Sequence, residues 1–170
     1  MIKRGHRSFL VGCIGLLFLV ALLTGCITMA KNDGTNKPLP SSTSEELVIT
    51  LERTPCFGKC PVYSLKIKGE GTVIYSGVDF VKTKGIQETT ISLEALNQLL
   101  TEFEKVDYFS LSDSYTKFGK SDMPSANTSI SIGGQTKAIK HYLGDLTAPK
   151  QLTALENKID ELVNSAQWIK

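Results

Sequence analysis

Cys56 and Cys60 are the densest chemical signal in this chain. They stand in the run Thr54-Pro55-Cys56-Phe57-Gly58-Lys59-Cys60-Pro61-Val62-Tyr63, where two prolines and a glycine dictate a tight turn. Three chemistries suit such a pair. A disulfide would close a small loop, contributing about 2 kcal/mol by chain entropy. Two thiolates could instead hold a soft metal such as Cu(I), with His141 as a third ligand. A thiol–disulfide exchanger would need a cysteine of lowered pKa. Lys59 is a cationic neighbour, but no helix start follows Cys56.

Other catalytic constellations lack specificity. No serine sits in a Gly-x-Ser-x-Gly elbow. Asp107, Asp113, Asp122 and Asp145 are available carboxylates, but no two are singled out as a glycosidase pair, and they read as turn formers. The acids also lack calcium-loop spacing. The Gly69-Glu70-Gly71 and Gly133-Gly134 runs are hairpin turns, since neither opens a helix as a phosphate cradle does. No enzyme activity and no resident cofactor are expected, copper being the alternative.

The compartment bears on the cysteines. Lys3, Arg4 and Arg7 precede an uncharged apolar run from Phe9 to Leu23. That run falls short of the roughly 20 residues a membrane-spanning helix needs. The pattern is a signal peptide, residues 1–25. Its exit, Leu23-Thr24-Gly25-Cys26, resembles the bacterial lipobox. The resemblance implies cleavage after Gly25 and lipid on Cys26, including an amide-linked acyl chain such as palmitate. Each buried CH₂ contributes about 0.8 kcal/mol, so two or three chains anchor firmly. Ile27 is not the aspartate that retains lipoproteins in the inner membrane. A Gram-negative host would therefore carry the protein on its outer membrane, and any other host on the outer face of its cell membrane. Beyond the membrane the compartment is oxidising, which favours the Cys56–Cys60 disulfide.

Cleavage also changes the electrostatics. The precursor carries +2, but residues 1–25 hold three basic residues and no acid, leaving 16 Lys and Arg against 17 Asp and Glu. No nucleic-acid partner is implied. The expected partners are the membrane, through Cys26, and an envelope protein.

Residues 26–46 are rich in Asn, Thr, Ser, Gly, Lys and Pro and form a tether that reaches roughly 25 Å. Residues 47–170 are long enough for one compact domain. Alternation predicts a strand at Leu47–Leu51, a hairpin joining Tyr63–Ile67 to Thr72–Tyr75, and an extended stretch from about Lys84 to Ile91. Leu93, Leu96, Leu99, Leu100 and Phe103 lie at helical spacing behind a Ser92 N-cap. An irregular connection spans Asp107 to Ala126, with room for a short strand near Phe109. A second hairpin turns at Gly133-Gly134 and runs to Tyr142, where His141 is expected at an edge or partly packed. Pro149 falls in the first turn of a final amphipathic helix striped by Leu152, Leu155, Ile159, Leu162 and Val163, with Trp168 closing the core. The fold class is α+β: an antiparallel sheet of about five or six strands with two helices packed on one face.

The run Thr-Pro-Cys-x-Gly-x-Cys-Pro-x-Tyr, the Gly-x-Gly and Gly-Gly hairpins and the terminal helix resemble an uncharacterised family of bacterial secreted and lipoprotein domains, over residues 47–170. That resemblance brings no activity. The Cys-x-x-x-Cys-Pro part alone resembles thioredoxin-fold copper chaperones, implying Cys56, Cys60 and His141 as ligands. That family, however, places a helix where this chain has a strand pattern. A non-enzymatic binding module is therefore the leading expectation, with copper or thiol-redox chemistry as the alternative. Its binding loops would be the cysteine turn, with Phe57 and Lys59, and the Tyr108–Pro124 connection, with Tyr115 and Asp122.

Overall fold

The structure is a computed structural model and describes residues 46–117 and 119–170. The expected signal peptide 1–25, the lipidation site Cys26 and nearly all of the tether lie outside the described residues.

Among the described residues seven strands form one sheet: β1 (Val48–Arg53), β2 (Val62–Lys68), β3 (Thr72–Asp79), β4 (Gly85–Thr90), β5 (Ser114–Tyr115), β6 (Ser125–Ile132) and β7 (Gln135–Tyr142). Their spatial order is β4-β3-β2-β1-β6-β7-β5. Every pairing is antiparallel except the short β5–β7 contact, which is parallel. The fold is thus α+β with a mostly antiparallel sheet, but its seven strands exceed the five or six expected. The extra strand is β5, two residues drawn from the irregular connection. The short strand lies at Ser114–Tyr115, not near Phe109, which instead belongs to a 3₁₀ turn at Tyr108–Ser110. Two residues carry no readable alternation, so only docking against β7 makes them a strand.

β1, β2, β3, β6 and β7 bury alternate residues, as the period-two pattern requires, whereas β4 alternates only between half-buried and exposed. Ile49 and Leu51 of β1, Leu65 and Ile67 of β2, Val73 and Tyr75 of β3, and Ile130 and Ile132 of β6 are all essentially inaccessible. The opposite face is polar and joined across strands by hydroxyl pairs, Thr50 to Ser129 at 2.6 Å and Ser131 to Thr136 at 2.9 Å. Gly133 and Gly134 both have positive φ, 55° and 72°, the geometry of a two-residue hairpin turn that side chains would oppose.

Among the described residues three helices are present, one more than expected: α1 (Leu93–Lys105), α2 (Lys150–Val163) and α3 (Ala166–Ile169). Ser92 caps α1 as its position suggests, its Oγ accepting from the Ala95 N–H at 3.1 Å. Pro149 is the N-cap of α2 rather than a first-turn residue; its ψ of 133° is extended, and Lys150 begins the helix. Leu96, Leu99 and Phe103 of α1 join Leu152, Leu155, Ile159 and Val163 of α2 and the buried strand residues in one hydrophobic cluster. Each such side chain contributes about 1.5–3 kcal/mol when fully buried. Trp168 stacks on Tyr75 with ring centroids 4.7 Å apart, and its carbonyl accepts from the Thr83 N–H.

Candidate functional site

The Cys56–Cys60 turn follows directly from β1 and leads into β2. The two cysteines are bonded to each other, with their Cα atoms 5.7 Å apart. Thr54 anchors the turn at its start: its N–H donates to the Ser125 carbonyl, and its Oγ1 accepts from the Ser125 N–H at 2.8 Å. The β1–β6 ladder thus continues one residue beyond Arg53. Phe57, at the tip, is 89% exposed, and Gly58 and Lys59 are exposed beside it.

Behind the turn lies a network unreadable from local pattern. The Asp160 carboxylate on α2 accepts four hydrogen bonds. Tyr63 Oη and Ser165 Oγ donate to its Oδ1 at 2.6 and 2.7 Å, and Arg53 Nε and Nη2 donate to its Oδ2 at 3.2 and 2.8 Å. Burial alone would lower the Arg53 pKa, but Asp160, with Tyr63 behind it, outweighs that and raises it. Burial, then the Asp160 charge, pushes the Tyr63 phenol far up, so it stays a proton donor. The residues Tyr63, Asp160, Ser165 and Ile169 help line an open groove of about 290 Å³. The final tyrosine of the Thr-Pro-Cys-x-Gly-x-Cys-Pro-x-Tyr run therefore ties its turn to the last helices.

His141 is not at an edge. It is 2% exposed, and its Nδ1 lies 2.7 Å from Glu156 Oε1, itself wholly buried. Burial pushes the Glu156 carboxyl up, opposed by its hydrogen bond to His141. Glu156 Oε2 has no hydrogen-bond partner among the described residues. The edge that sequence alone assigned to β7 is covered: Tyr115 of β5 meets the His141 ring edge-on at 6.3 Å, and Lys137 Nζ binds the Leu111 carbonyl and Asp113. Cys56, Cys60 and His141 do not converge, and no three His, Cys, Asp or Glu side chains do so among the described residues.

The other candidate loop residues separate in the same way. Tyr115 is half-buried, its Oη accepting from the Ser112 N–H, so it packs a strand edge rather than offering a ring to solvent. Asp122 is exposed with a φ of 64° and makes the turn before β6. Asp145 is held by the Thr147 hydroxyl and N–H and by the Lys117 N–H, and the Thr147 hydroxyl leads in drawing its carboxyl below the usual range. Sequence reasoning missed Arg53, Tyr63, Glu156 and Asp160 as a set. The one signal for them was charge on the inward face of two amphipathic elements.

These features define a class: a small α+β domain with a mostly antiparallel sheet and a disulfide-closed turn braced by a part-buried ion pair. The chain belongs to the family described as Domain of unknown function (DUF6438), whose model matches residues 47–163. The match begins at the residue before β1 and ends with α2. No curated protein matches the chain.

Proposed function

We propose that this protein is a lipid-anchored lipoprotein of the cell envelope, acting as a non-enzymatic binding module. The observation carrying this reading is Phe57, an aromatic ring 89% exposed on a turn held by the Cys56–Cys60 bond. Aromatic anchors on pre-organised turns bind with little entropic cost. Direction supports it as well. The chain leaves the tether at the Val48 end of β1, while the turn follows Arg53 at the other end, about 20 Å away. A domain anchored through Cys26 thus carries Phe57 on the end away from its attachment.

In this reading both long helices lie over the sheet face bearing Ile49, Leu65 and Ile130, leaving the hydroxyl-rich face and the strand ends as surface. The copper alternative has less support, because its two sulfurs are joined to each other and its histidine is turned to Glu156.

Two experiments test the proposal in the native host. Labelled palmitate and envelope fractionation should place the wild type in the membrane, and Cys26→Ser should release it unlabelled. A photo-crosslinking residue at Phe57 should yield discrete adducts that the same residue at Glu94, exposed on α1, does not. An unlabelled wild type sinks the anchor, and identical patterns at the two positions sink the binding end.

A further inference from the structure

The two edges of the sheet are treated differently. The β7 edge is occupied by β5, and the Lys140 N–H donates to the Asp113 carbonyl there. The opposite edge is β4, which among the described residues has a strand on one side only. The Ile91 N–H donates to the Gly71 carbonyl, which sets the alternation of the β3–β4 ladder. Thr89, Gln87 and Gly85 then point their backbone groups at β3, and Ile86, Glu88 and Thr90 point theirs outward. Those three residues are all exposed, Ile86 to 73%, and among the described residues nothing bonds to their outward backbone groups.

Two further observations lie along that edge. Val78 is 59% exposed and Phe80 is 45% exposed, at the end of β3 and in the β3–β4 turn. Ile86 is a third exposed apolar side chain near the start of β4. Glu88, at the centre of the open edge, makes no ion pair among the described residues; its neighbour across β3 is Ile74. A second copy pairing symmetrically about this residue would set Glu88 against Glu88, a destabilising arrangement.

We propose that β4 is an acceptor edge, taking up an extended segment of a partner polypeptide as an eighth strand. The segment carries a basic residue opposite Glu88 and an apolar residue opposite Ile86. Backbone hydrogen bonds at Ile86, Glu88 and Thr90 supply the register, and the side chains supply the selectivity. The inference deepens the binding-module reading by naming the partner's chemistry. It uses neither the lipid nor Phe57, so it stands or falls apart from them.

The test uses the full chain in detergent micelles and a blocked nine-residue peptide. Its central residue is lysine, with valine two positions after and threonine two positions before, for antiparallel pairing. The peptide should bind saturably, and methylating its alternate amides on the pairing edge should abolish binding while methylating the other edge should not. Glu88→Pro removes an outward N–H and leaves the β3 ladder bonds intact, so binding should fall roughly tenfold or more with the melting temperature held. Glu88→Lys should weaken the lysine peptide roughly five- to tenfold, and a glutamate-centred peptide should restore it. No saturable binding, binding indifferent to Glu88→Pro, or a β4-dependent dimer in sedimentation without peptide uptake would each overturn the proposal.

Discussion

Asp160 shows what one carboxylate can hold together. Its two oxygens take Tyr63, Ser165 and both donors of the Arg53 fork, so strand ends and helix end meet at one group. Arg53 and Asp160 side chains are 12% and 20% exposed, so solvent screens them little. Asp160→Ala strands a part-buried guanidinium and should lower unfolding stability by about 2–3 kcal/mol. Tyr63→Phe removes one charge-assisted bond and should lower it by about 2 kcal/mol, read as a shift in urea midpoint at constant slope. Glu156 gives a pH prediction. Its carboxyl is pushed above its ordinary 4.5, first by burial, so the folded state holds that proton more tightly than the unfolded chain. Its contribution to stability is therefore fullest below about pH 4.5 and declines as pH rises through the raised value. Glu156→Gln removes that decline, so urea titrations from pH 4 to 8 should show the variant gaining on the wild type as pH rises. A parallel pair of curves would refute the assignment.

At the scale of elements, the disulfide turn is short, and its bridge constrains little of the unfolded chain. Replacing both cysteines, Cys56→Ala with Cys60→Ala, should cost about 2 kcal/mol and leave the far-ultraviolet spectrum unchanged. The fold is secured elsewhere, by the Thr54–Ser125 bonds and the Tyr63–Asp160 bond on either side of the turn. A larger loss, or loss of sheet signal, would mean that the bridge rather than these bonds sets the turn. The two edge strands differ in the same local terms. β5 exists because the connection after α1 lies along β7, whereas β4 is a full strand whose outer side meets no strand among the described residues. Its length and Glu88 let it pair with a basic partner strand and discourage pairing with itself.

For the whole molecule, periodicity in the sequence was enough to place the strands from Val48 to Lys68, the β6–β7 hairpin, α1 behind Ser92 and the stripe of α2. Each is a local pattern of burial that repeats within one element. The Thr-Pro-Cys-x-Gly-x-Cys-Pro-x-Tyr run likewise marked the turn, because proline, glycine and paired cysteines restrict the backbone within a few residues. Sequence did not yield the strand order, the seventh strand, the buried state of His141, or the meeting of Arg53 and Tyr63 with Asp160, 107 and 97 residues further on. These depend on which elements lie side by side, and no local period encodes that. A charge on a half-buried face looks the same in sequence whether it meets solvent or a partner. Only tertiary contacts decided that His141 of β7, Arg53 of β1, Tyr63 of β2 and Tyr75 of β3 each meet a partner on α2 or α3, from the end of the chain. The strand order likewise leaves β4 as the edge without a second strand among the described residues.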